Sequence, residues 1–128
     1  MQTNLLAIPL VSIEVQTGTN EDWVDSLLFL VDGSDPSQPQ LDLRGIYFEM
    51  EVRRQPEDHE VIIRASTKDG TLLIGDPPNF GFLIINVPMA MVTGELPGIY
   101  YADIRGSDDE NTRVVVEIDL EIVEGITR

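Results

Sequence analysis

Arg113-Val114-Val115-Val116-Glu117-Ile118-Asp119-Leu120-Glu121-Ile122-Val123 places Val114, Val116, Ile118, Leu120 and Ile122 at strict period two. That period marks a strand with one buried face and one wet face. At about 3.3 Å per residue it runs roughly 30 Å, enough to cross a whole sheet. In this register Val116 points to the core, while Val115 points to solvent with Arg113, Glu117, Asp119 and Glu121. As a charged outer strand, it would also be guarded against promiscuous edge pairing.

The same logic extends toward the N-terminus. Ile46 to Arg53 alternates, with Ile46, Phe48, Met50 and Val52 inward and Tyr47, Glu49, Glu51 and Arg53 outward. Across the charged turn Gln55 to Glu60 its hairpin partner is Val61 to Thr67. Asp69-Gly70 turns into Leu72-Leu73-Ile74, and Phe82 to Val87 reads as a strand buried on both faces. Pro88 to Gly94 suits one short helical turn, and Leu96 to Ile104 opens the next strand. Earlier, Leu5 to Val15 reads as a first strand, broken at Pro9, and Trp23 to Val31 as a second. Thr17 to Asn20 is the turn between them, and Asp32 to Pro39 is a surface loop. About eight strands with no 3.6-residue period predict an all-β, single-domain chain over residues 1–128. Gly98-x-Tyr100-x-Ala102 after a corner matches the tyrosine corner of immunoglobulin-like sandwiches, with Ala102 where antibody domains carry cysteine. Gly98 and Tyr100 are therefore the expected structural corner of an immunoglobulin-like antiparallel β-sandwich.

A chain of 128 residues with 42% hydrophobic and 24% charged residues can bury a core of its own. Without cysteine it has no disulfide, thiolate metal site or cysteine nucleophile. No basic residue precedes Arg44, so the N-terminus is a poor signal peptide, and no apolar run is long enough to span a bilayer. Synthesis in the cytoplasm is expected. A net charge of −15 with eight basic residues argues against nucleic acid and anionic membranes as partners. It leaves open a DNA-mimic inhibitor whose carboxylates imitate phosphates.

Chemistry-bearing patterns are sparse. The single histidine, His59, lies between Asp58 and Glu60 in a turn and reads as a solvated loop residue. Asp32, Asp35, Asp108, Asp109 and Glu110 are hard oxygen ligands in turns, but they lack EF-hand spacing, and turn aspartates commonly bond their own backbone. With 23 acids, a glycosidase carboxylate pair is conceivable, although acids on outer strand faces are usually solvated. Trp23 reads as a core or rim plug rather than a sugar platform, which weakens a carbohydrate-binding or adhesion module. Tyr47 and Tyr101 are the candidate contact aromatics. No catalytic, metal or cofactor residues are assigned, and a small-molecule ligand is not expected.

From Leu41 onward the chain carries an ordered set of pieces: Leu41-Asp42-Leu43-Arg44-Gly45, Met50-Glu51-Val52-Arg53, Ser66-Thr67-Lys68-Asp69-Gly70, Pro97-Gly98-Ile99-Tyr100-Tyr101-Ala102-Asp103-Ile104, and Val123-Glu124-Gly125-Ile126-Thr127-Arg128. This set resembles a family of tail-associated proteins of tailed bacteriophages and prophages, similar to the immunoglobulin-like N-terminal domain of upper baseplate proteins. The resemblance implies a non-enzymatic virion component that docks onto other phage structural proteins, commonly within a homo-oligomer or ring. The segment before Trp23 and the tail after Val123, with Ile126 and Arg128, lie outside the best-patterned core and are the expected assembly contacts.

Overall fold

The computed structural model describes residues 5, 8, 10–30, 40–92, 94–95 and 97–125. The expected loop at 32–39, Pro9, and Ile126 and Arg128 lie outside them. In chain order the elements are β1 (Val11–Gly18), β2 (Trp23–Leu28), β3 (Tyr47–Arg53), β4 (Ile63–Ser66), β5 (Leu72–Ile74), β6 (Phe82–Val87), α1 (Met89–Val92), β7 (Gly98–Ser107) and β8 (Thr112–Val123). They form a five-stranded sheet, β1-β8-β7-β3-β4, and a three-stranded sheet, β2-β6-β5. The orders β8-β7-β3 and β2-β6-β5 are those of strands G-F-C and B-E-D in an immunoglobulin-like sandwich.

Alternation builds the core. Phe48, Met50 and Val52 from β3, Ala102 and Ile104 from β7, and Ile118, Leu120 and Ile122 from β8 line the inner face of the larger sheet. Leu83, Ile85 and Val87 from β6, Leu72 and Trp23 answer from the smaller one. Each valine, leucine, isoleucine, methionine or phenylalanine among them contributes about 1.5–3 kcal/mol by leaving water. Trp23 is the core plug its position suggested, and its Nε1 donates to Asp25 Oδ2 at 2.7 Å. Tyr100, opposite Leu120, is buried at the start of β7, just after the α1 corner.

Five expectations are revised. In β8, Ile104 opposes Val116 while Arg105 opposes Val114, which leaves Val115 as the extra residue of a β-bulge. Val115 is 0% exposed and Val116 1%, so Val115 faces the interior and not solvent. Nor is β8 an edge, because β1 pairs with it in parallel from Val11 opposite Val116 to Gly18 opposite Val123. The sandwich is otherwise antiparallel.

The first strand begins at Val11 and runs through Thr17 and Gly18, which the pattern assigned to a turn. Leu5 and Ile8 are wholly buried, so these two residues of the segment before Trp23 belong to the core rather than lying outside it. Finally, β6 is not buried on both faces: Leu83, Ile85 and Val87 are buried, Phe82 and Ile84 half-buried, and Asn86 exposed. Its second face is the outer side of the three-stranded sheet.

Residues 40–43 carry the chain from one sheet to the other. Leu41 N donates to Phe29 O at 2.9 Å, Phe29 N to Gly81 O at 2.8 Å, and Leu43 N to Phe80 O at 3.0 Å. The approach is so close that a Cβ at Gly81 would lie 2.6 Å from Gln40 Cβ and 2.9 Å from both Leu41 O and Phe29 O.

Candidate docking face

Because β3, β7 and β8 are neighbours, their outward positions converge on one surface. Glu51 sits at its centre, opposite Arg64 on β4 and Asp103 on β7. Arg53 Nη2 donates to Glu51 Oε1 at 2.7 Å, and Arg105 Nη2 donates to the same oxygen at 2.8 Å. Arg64 Nη1 lies 3.1 Å from Oε2. The guanidinium groups sheathe the carboxylate, which leaves Glu51 only 6% exposed on an outer face. Burial pushes its pKa up, but the Arg53 hydrogen bond and the charges of Arg53, Arg105 and Arg64 together hold it below the ordinary value.

Asp103 lies between Glu51 and Glu117 in register and experiences the opposite balance. Arg53 and Arg105 approach it only to 3.9 Å, and its buried Oδ1 has no hydrogen-bond partner. Burial raises its pKa, Arg105 and Arg53 counter this, and repulsion from Glu51 and Glu117 adds to the rise. One carboxylate is thus locked ionised while its neighbour resists ionisation. The cluster ties β3, β4 and β7 together, and the covering arginines keep Glu51 from offering a free carboxylate to a substrate.

Toward the other side the charge changes sign. Glu14 opposes Asp119, and Gln16 opposes Glu121. Ser12 opposes Glu117 and donates to its Oε2 at 3.5 Å. Among the described residues, no cation lies within 4.0 Å of Glu14, Glu117, Asp119 or Glu121. Glu14, Gln16, Ile99, Asp119 and Glu121 border a shallow concavity of about 440 Å³. The outer face is therefore polarised, with arginines over β7, β3 and β4 and, over β8 and β1, carboxylates that no cation among the described residues compensates.

Both candidate aromatics lie on this face but are not brought together. Tyr47 opposes Ser107 and Tyr101 opposes Arg53, which sets them roughly 20 Å apart along β3 at strand rise. Tyr47 is 37% exposed, and its hydroxyl donates to Glu49 Oε2 at 3.2 Å. Burial, followed by the charges of Glu117 and Asp103, pushes the Tyr101 phenol up, with Arg53 opposing. Gly98 and Tyr100 occupy the start of β7.

The turn carboxylates serve the backbone. Asp108 Oδ1 accepts from Glu110 N at 2.9 Å and Asn111 N at 2.7 Å, and Asp69 Oδ1 accepts from Thr71 N at 2.9 Å. Among the described residues no group of three His, Asp or Glu side chains is placed to hold a metal ion. His59 is exposed in its turn. Sequence reasoning missed the Glu51 cluster; its one signal was that alternation sets Arg53 two residues along the same outward face as Glu51.

Fold and face together define an immunoglobulin-like sandwich with a polarised, charge-bearing outer sheet. No protein-family model matches the chain, and no curated protein matches it. Among solved structures, a family 123 glycoside hydrolase from Clostridium perfringens is similar at a TM-score of 0.30 and 14% identity, over 91% of this chain and 23% of that one. The chain thus spans under a quarter of that enzyme's length, and a superposition at this level assigns no activity.

Proposed function

We propose that this chain is a non-enzymatic structural or assembly component of a phage or prophage virion, in its tail, neck or baseplate, acting through protein–protein contacts. The observation that carries the contact role is the polarised outer face of the five-stranded sheet, where an arginine-carboxylate cluster adjoins acids that, among the described residues, have no cation within 4.0 Å. Sign-patterned faces give register and specificity in docking. The virion setting rests on the ordered resemblance from Leu41 onward. Mass spectrometry of purified particles from the producing strain tests it. The chain is expected in stoichiometric proportion to the tail proteins, and its absence from both particles and assembly intermediates overturns the proposal.

The acid strip over β8 and β1 favours one second reading, a DNA mimic. Displacement of duplex DNA from a nuclease at low salt, by a chain absent from particles, would support it instead.

A further inference from the structure

On one flank of the sandwich each sheet ends in a strand whose outer edge pairs with no other strand among the described residues. β1 closes the five-stranded sheet, β2 closes the three-stranded one, and among the described residues no further strand pairs with either. Between them runs an apolar groove of about 220 Å³, lined by Val11, Ile13, Leu27, Leu28, Phe29 and Val116. Its rim is open to water: Val11 is 39% exposed and Leu28 46%. An unpaired edge beside exposed apolar side chains is a template for another strand.

We infer that the free edge of β1 accepts a strand from a partner protein whose residues alternate apolar and basic. A strand added there lies about 4.8 Å from β1, and its side chains alternate between two surroundings. One set falls beside Val11 and Ile13 and enters the groove they line. The other set lies beside Ser12, Glu14 and Gln16, with Glu117, Asp119 and Glu121 one strand further in. These are the carboxylates that no described cation neutralises. Lysine or arginine at the second set reaches them, while apolar residues at the first fill the groove.

The same charges argue against a second copy as the occupant. Pairing β1 with β1 would bring Glu14 strips together and join two chains of net charge −15. The edge is thus guarded against its own kind and open to the opposite sign.

The inference rests on the protein–protein reading above and names its partner's chemistry. The probe is a seven-residue, end-capped peptide alternating valine and lysine, titrated into isotopically labelled protein. Binding below about 2 mM is expected at low salt, weakening as salt is raised. Amide shift changes should gather on Val11–Gly18 and Leu27–Phe29. The exposed substitution Glu14→Lys should weaken binding by about tenfold or more with the remaining spectrum preserved. A peptide with glutamate in place of lysine should not bind. Absence of binding, equal binding by Glu14→Lys, or shifts gathered on β4 or β5 would overturn it. If the peptide fails but particles contain the chain, only the edge site falls. If the peptide binds but particles lack the chain, only the virion setting falls.

Discussion

Glu51 and Asp103 stand opposite each other on β3 and β7, yet their surroundings push them in opposite directions. Glu51 is held ionised, so its stabilising contribution is complete above the unfolded carboxylate value near about 4.3 and is lost as pH falls through its lower folded value. Glu51→Gln should destabilise by about 2 kcal/mol at pH 7, since it leaves the guanidinium groups around it without their anion. The gap to the parent, measured by denaturant melts, should close below about pH 4. Asp103 behaves inversely, because its folded pKa is raised and its charged form costs stability. Asp103→Asn should therefore stabilise by about 0.5–1 kcal/mol at pH 7, a gain that fades as pH falls toward about 3.9. Single-residue chemistry of this kind was only half legible beforehand. Arg53 followed from the strand's alternation, but Arg64 meets Glu51 through the β3–β4 register, and Arg105 and Asp103 approach it through the β3–β7 pairing from more than fifty residues away.

At the level of elements, most strands were readable because their periodicity coincides with burial, as Phe48, Met50 and Val52 illustrate. The alternation failed where one residue was inserted. Val115 breaks the period through a bulge that depends on the partner strand and leaves no mark in a run of three valines. Val115→Asp and Val116→Asp should both destabilise by several kcal/mol, because each would bury an unpaired carboxylate. Asp119→Asn, on the exposed face, should stay within about 0.5 kcal/mol. Comparable losses of melting temperature in the two valine variants check the bulge. The N-terminal segment was misjudged for a different reason. Leu5 and Ile8 are buried without belonging to a strand, so no period announces them. Gly81 likewise looked ordinary, although backbone oxygens from two segments crowd its missing Cβ. Gly81→Ala should cost about 1–3 kcal/mol, read from the shift in the denaturation midpoint.

For the whole molecule the governing quantity is charge. A net −15 spread over a small sandwich strains the compact state by self-repulsion, which salt screens beyond a length of about 10 Å at 0.1 M. Within the Glu51 cluster the contact between Glu51 and Arg53 is largely shielded from water and short-ranged, so salt weakens it far less. Melting temperature should therefore rise by several degrees between low and moderate salt, measured by calorimetry, and a fall would mean that surface ion pairs outweigh repulsion.

The parallel pairing of β1 with β8 also has a mechanical meaning. Val11 and Val123 lie at opposite ends of the same strand pair, so tension between them drags the strands lengthwise past each other. All eight rungs then share the load at once, like a fastener pulled in shear. Single-molecule stretching from the ends should need more force than stretching between Glu21 and the C-terminal side, where both handles sit at one end of the pair and the rungs peel apart in turn.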